Sequence, residues 1–238
     1  CVGLALFADG EKVVARLREF PLPLLAPILG LSLVNYALRF VRWQAYLKSL
    51  DIELPWAKSL SIFLVGFLLS VTPGKAGELG KAWLVRELGG GKALRAIPAV
   101  LAERATDLLG VILLLGLGAL PFSGGGWIAL CAALAVAAAV ALLTWETGAS
   151  RMFGLLAKVP ILGKRMPALR EIYDLLRGLL SPRLLALGLT IAVVAWGAEG
   201  LGFYYALRPY DSDANVLSAI FDYSASTCLG SLSMLPGG

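Results

Sequence analysis

Histidine is absent from the 238 residues. That removes the commonest general base, the side chain that changes charge near neutral pH and the usual transition-metal ligand together. Cysteine is scarce: Cys1, Cys131 and Cys228 are odd in number and far apart, so neither a disulfide framework nor a cysteine metal motif is implied. Only 16% of the side chains are charged, and no basic run is long enough to suggest a nucleic-acid partner. A phosphate loop of the GxxxxGKS or GxxxxGKT type is missing, as is any recognisable nucleophile and base. No cofactor and no metal is therefore expected. These absences weigh against an enzyme without excluding one, since paired carboxylates alone can move protons.

What the chain has is apolar surface. Its hydrophobic share is 58% and its mean hydropathy +0.80, against about 45–50% apolar residues in soluble domains even with glycine counted. Several runs reach the roughly 20 residues needed to cross a hydrocarbon core of about 30 Å. None has the flanks of a signal peptide, so the spans read as structural. Residues 1–8 read as the remnant of a span, and complete spans are expected at about 22–43, 97–120, 127–145 and 184–207. The basic linker 147–182 contains Leu169, Ile172, Tyr173, Leu176 and Leu180 at helical spacing opposite Arg170, Glu171, Asp174 and Arg177. That pattern predicts a helix lying in the membrane interface. A start at Cys1 and a stop on Gly237-Gly238 inside an apolar segment suggest one transmembrane domain, 1–238, cut from a longer chain.

Two segments break the pattern. Residues 60–71 are apolar but, at about 1.5 Å per residue, span only about 18 Å. The chain then meets Thr72-Pro73-Gly74 and resumes as an amphipathic stretch, 75–88. The second break is Pro236-Gly237-Gly238, at the end of the apolar segment 216–236. The net charge of +5 is placed at loops, and the positive-inside rule puts the 147–182 linker in the cytoplasm and the uncharged turn 121–126 outside. Parity then makes 60–88 a hairpin that enters and leaves the cytoplasmic face, with the second break approached from the opposite face. The fold class expected is all-α: a polytopic membrane protein with two re-entrant, broken-helix hairpins in an inverted-repeat arrangement, whose broken ends meet at a ligand site.

Thr72 and Pro73 make a good helix start, Gly74 lets a ligand approach the backbone, and Lys75 adds a positive charge. The reading is a site for a phosphate or carboxylate head group, with Glu78 balancing Lys75 or contacting an amine. The plainer alternative is a hairpin turn in which Lys75 and Glu78 merely pair. Lys81 shares the face of Lys75 and Glu78. Glu103, Arg104 and Asp107 form a second cluster that either contacts the head group or ties the hairpin to the span. Arg39 and Arg42 read first as ordinary interface anchors, with Arg39 deep enough to reach a lipid phosphate. Glu199, alone among Trp196, Gly197, Gly200 and Gly202, would cost roughly 2.5 kcal/mol or more if left charged in lipid, so it should face a cavity, pair with a base or be protonated. Asp222 is similar, with hydroxyl residues nearby.

Arg39-x-x-Arg42-Trp43, then Ser70-x-Thr72-Pro73-Gly74-Lys75-Ala76-Gly77-Glu78 with Lys81, then Glu103-Arg104-x-x-Asp107 and finally Ser233-x-x-Pro236-Gly237-Gly238 resemble, in that order, the lysylphosphatidylglycerol synthase transmembrane-region family. The resemblance covers most of the chain. It implies a multi-pass protein of the bacterial inner membrane, like the flippase-like portion of the multiple peptide resistance factor, which moves aminoacylated phosphatidylglycerol between leaflets. The soluble domain that attaches the amino acid there has no counterpart in these residues, so aminoacyl transfer is not implied. The family pattern continues past the Pro-Gly-Gly to an acidic residue. The partners expected are membrane lipids, with an anionic phospholipid, an aminoacyl-phospholipid or a polyprenyl phosphate as cargo, and no nucleic acid. An integral-membrane transferase, and a non-catalytic partner of a separate synthase or glycosyltransferase, stand as alternatives. A homo-oligomer is left open.

Overall fold

The computed structural model describes residues 18–70, 72, 77–89, 93–156 and 165–233, and all the regular elements among them are helical. A 3-10 turn, Leu22–Leu24, leads into α1, Leu25–Ser49. It is followed by α2 (Trp56–Leu69), α3 (Gly80–Gly89), α4 (Ala93–Ala119), α5 (Gly125–Thr144), α6 (Glu146–Leu156), α7 (Met166–Leu179), α8 (Pro182–Leu207) and α9 (Val216–Ser233).

Local chemistry explains the ends. The chain leaves α1 through Asp51 at φ 54°, a left-handed position that Asp tolerates, while the Ile52 amide donates to the Leu47 carbonyl at 3.0 Å. Between α4 and α5 the turn is made by Gly124 at φ 77°. Asn215 caps α9 by accepting from the Ser218 amide at 2.9 Å. Proline at the start of α7 and of α8 occupies the first turn, where its missing N–H costs nothing.

α4 is the central helix, packed by α3, α5, α7, α8 and α9 and touched by α1. Three of its glycines open three of its sides. A Cβ on Gly110 would stand 2.8 Å from Ala192 of α8, one on Gly116 2.8 Å from Ala132 of α5, and one on Gly118 2.6 Å from the Phe221 amide of α9. Small residues thus bring helix backbones together, the means of packing available where lipid removes the hydrophobic drive between helices.

Large apolar side chains cover much of the outside while several charged ones lie within. Leu29, Leu33, Leu64, Leu68, Leu117, Leu134 and Val194 are exposed, whereas Arg39, Arg42, Lys81, Glu103 and Asp107 are buried. Leu22–Ser49, Gly125–Thr144 and Pro182–Leu207 are long and apolar enough to cross a membrane. α4 is equally long and turns Glu103 and Asp107 inward.

The expected spans correspond to α1, α4, α5 and α8, although α4 starts four residues before 97 and contains Pro98. The interfacial helix expected over 169–180 is α7, and α6 is an addition: Gly148 and Gly154 weaken its helical signal, and Trp145, in extended conformation, separates it from α5. α2 has 14 residues, about 21 Å, and packs on α3. Residues 1–17 and the second break, with Pro236, Gly237 and Gly238, lie outside the described residues.

Candidate functional site

The acidic face of α4 organises the site. Asp107 Oδ1 accepts from Arg42 Nη2 at 2.6 Å, and its Oδ2 accepts from Arg104 Nη2 at 3.0 Å and Arg39 Nη2 at 3.3 Å. One carboxylate thus gathers three guanidiniums from two helices. Arg42, 0% exposed, also donates to Thr106 Oγ1 at 3.1 Å. One turn earlier, Glu103 pairs with Lys81 of α3, whose ammonium lies 4.6 Å from the Trp43 ring centre and 5.7 Å from that of Phe63. The stem of Lys81 runs across Gly66 of α2, where any Cβ would stand 2.5 Å from its Cδ. Arg104 Nε reaches Glu78 Oε2 at 3.1 Å and so ties α4 to the 77–79 turn before α3.

Four bases (Arg39, Arg42, Lys81, Arg104) thus face three acids (Glu78, Glu103, Asp107), a surplus of one positive charge. Burying such a set is costly unless every charge is paired. The network lies against a cavity of about 220 Å³ lined by Asn35, Tyr36 and Arg39 of α1, Phe67 and Ser70, Glu78, Arg104, and Trp196, Glu199 and Tyr223 of α8 and α9, where Glu199 supplies the fourth acid. Arg39 lies over two rings, its guanidinium carbon 5.1 Å from the centre of Phe67 and 5.4 Å from that of Trp196. Its Nε, the Trp196 Nε1 and the Asn35 Oδ1 are buried and have no hydrogen-bond partner. Asn35 itself is fixed, since its Nδ2 donates to the Ala195 carbonyl at 2.8 Å. Buried polar atoms are nearly always paired, so two bare donors and one bare acceptor on the residues of a cavity mark it as a place for a polar guest.

The structure brings together Arg39, Glu78, Arg104 and Glu199 on the cavity wall. Glu199 accepts from Ser32 Oγ at 3.3 Å. Three expected head-group contacts sit behind that wall: Arg42 and Asp107 hold Arg39 and Arg104 in place, and Glu103 holds Lys81, which borders a small pocket next to the cavity. The interface-anchor reading of Arg39 and Arg42 does not hold, because both are buried and paired with Asp107. Asp222 is on the exposed side of α9. The neighbouring Tyr223 faces the cavity instead, because α9 packs on α4 and α8 through the side that carries Ala219 and Ser224. Thr72 Oγ1 accepts from the Gly77 N–H at 2.7 Å, five residues on, at the start of the 77–79 turn. Gly74 and Lys75 lie outside the described residues.

Asn35, Tyr36, Phe67, Trp196 and Tyr223 were not singled out by charge. Two of them carried a readable signal, since Asn35 is one turn from Arg39 and Trp196 one turn from Glu199 on the same helix faces. Among the described residues no group of three or more Cys, Asp or Glu is placed to hold a metal ion.

The family model described as "Lysylphosphatidylglycerol synthase TM region" matches residues 1–238, the whole chain. No curated protein and no solved structure gives a significant match.

Proposed function

The chain belongs to the lysylphosphatidylglycerol synthase transmembrane-region family, and from that premise we propose that it binds a lipid with an anionic head group and carries it between leaflets of the bacterial inner membrane. It is an integral membrane protein of several spans. The observation that carries the proposal is the cavity: a polar chamber walled by two arginines and two glutamates, with bare buried donors on its lining residues, inside a bundle with many large apolar side chains on its outside.

In this reading the cavity holds the lipid phosphate, with Arg39 and Arg104 as its donors and Trp196 Nε1 as a neutral one. Arginine suits the role because its planar fork matches phosphate oxygens in pairs. Tyr36, exposed at the rim, faces the acyl chains. α2 and α3 enter and leave the cytoplasmic face as a re-entrant hairpin, which supplies the polar end of the route, with Lys75 and Lys81 drawing the phosphate towards it. Glu199 balances charge at the far wall.

The test is translocation of a fluorescent phosphatidylglycerol in proteoliposomes. The wild-type chain should accelerate it, and Trp196→Phe, which removes one donor and keeps the ring, should slow it about tenfold, as should Lys75→Ala. No acceleration by the wild type, or wild-type rates in both variants, contradicts the proposal.

A further inference from the structure

Glu78 stands apart from the other carboxylates of the network. Asp107 has three guanidiniums and Glu103 has a lysine clamped between two rings, but among the described residues the Glu78 carboxylate has one ion partner, Arg104. That contact is imperfect: at 3.1 Å it is close enough for an ion pair, yet Arg104 Nε makes no hydrogen bond. Glu78 is only 5% exposed, and both it and Arg104 line the cavity. A carboxylate therefore already touches the cation a lipid phosphate would need.

We propose that Glu78 is a tethered occupant of the anion subsite: it holds Arg104 until a lipid phosphate replaces it, and the exchange releases the 77–79 turn from α4. The inference rests on the lipid-binding reading above and adds a selectivity filter and a trigger to it. Phosphate displaces Glu78 because its two non-ester oxygens can meet Arg104 in fork geometry, where Glu78 offers one oxygen out of line. Once displaced, Glu78 would be a buried, unpaired carboxylate, an unfavourable state that the turn relieves by moving. The turn is built to move as a piece. It is closed on α2 by the Gly77 amide bonded to Thr72 Oγ1 and by the close seating of Gly77 on the Leu69 carbonyl, whereas Glu78–Arg104 reaches across to α4. The Lys81–Glu103 pair, one turn further on, holds α3 while the turn swings. A weaker anion that cannot outcompete Glu78 leaves the turn tied to α4, so the same residue filters the guest and reports its arrival.

The experiment compares the full chain in nanodiscs of phosphatidylcholine with and without phosphatidylglycerol, reading lipid retention by native mass spectrometry and amide exchange across residues 77–89. In the wild type, phosphatidylglycerol should be retained selectively and should speed exchange in that segment. Glu78→Gln, which keeps shape and removes the competitor, should bind phosphatidylglycerol about tenfold more tightly, equivalent to about 1.4 kcal/mol, and exchange fast without it. A merely structural Glu78 would give weaker binding. Should the Gln variant fail to fold, Glu78→Asp, which draws the carboxylate back from Arg104, is expected to show the same tightening to a smaller degree. Unchanged or weaker retention by the folded variant overturns the proposal, as does phosphatidylglycerol binding without change in exchange at 77–89. Absence of any selective retention by the wild type overturns instead the lipid-binding reading on which the proposal rests.

Discussion

Asp107→Asn isolates the charge that organises the site. The substitution keeps volume and one acceptor oxygen but leaves Arg39, Arg42 and Arg104 without their shared anion. Arg42 is the most affected, because it is 0% exposed and its remaining partners are Thr106 Oγ1 at 3.1 Å and the Gly188 carbonyl at 3.5 Å. Removing one side of a buried ion pair costs about 3–5 kcal/mol. The retained amide oxygen places Asp107→Asn near about 3 kcal/mol, which at about 2–4 °C per kcal/mol for a chain of this size lowers the melting temperature by about 10 °C. The assay is thermal unfolding of the detergent-solubilised protein followed by tryptophan fluorescence. Arg42→Met in the Asp107→Asn background should restore part of the loss, with a coupling of about 1–2 kcal/mol between the two positions. A single variant melting within about 2 °C of wild type, or strictly additive effects in the pair, would refute the claim that Asp107 is the anchor of the three arginines.

Two further outcomes are expected. Gly118→Ala places a methyl group 2.6 Å from the Phe221 amide and 2.8 Å from the Leu217 carbonyl, so α9 must shift and stability should fall by about 2 kcal/mol, whereas Gly30→Ala, with nothing within 4 Å, should be neutral or stabilising by up to about 1 kcal/mol; equal melting temperatures for both would contradict the α4–α9 packing. Single cysteines replacing Ser123 and Ser150 should be labelled by a membrane-impermeant maleimide from opposite faces of the membrane, Ser150 from the cytoplasm, and labelling of both from one face would overturn the proposed topology.

The helices were legible because apolar runs of span length and interfacial helical spacing are both local properties. Boundaries were less so: Pro98 suggests an end, yet α4 continues through it, since the loss of one helical hydrogen bond in its second turn is outweighed by packing along the rest. Among the candidate site residues, charge picked out the ion-pair network but not the place of each residue in it. Of the two readings of the Glu103, Arg104 and Asp107 cluster, the tie between hairpin and span is seen in the Lys81–Glu103 and Arg104–Glu78 pairs. Arg42 and Asp107 belong to the cluster but support it from behind, because which carboxylate faces a guest and which holds a guanidinium depends on crossings of α1, α4 and α8 set by Gly110 and Gly188 against Ala192 and Tyr46. Asp222 misled because charge was read without helical phase. α9 meets α4 and α8 through Leu217, Ile220 and Phe221, and this turns Tyr223, not Asp222, to the cavity. The neutral wall, Asn35, Tyr36, Phe67 and Trp196, carries no charge to flag it in an apolar sequence.

The most direct measurement is a structure of the full chain determined in lipid containing phosphatidylglycerol. The account predicts a lipid phosphate inside the cavity, within hydrogen-bonding distance of Arg39 Nε and Arg104, with the acyl chains leaving past Tyr36. Lipid phosphates found only around the outer surface, with water alone between Arg39 and Trp196, would contradict it.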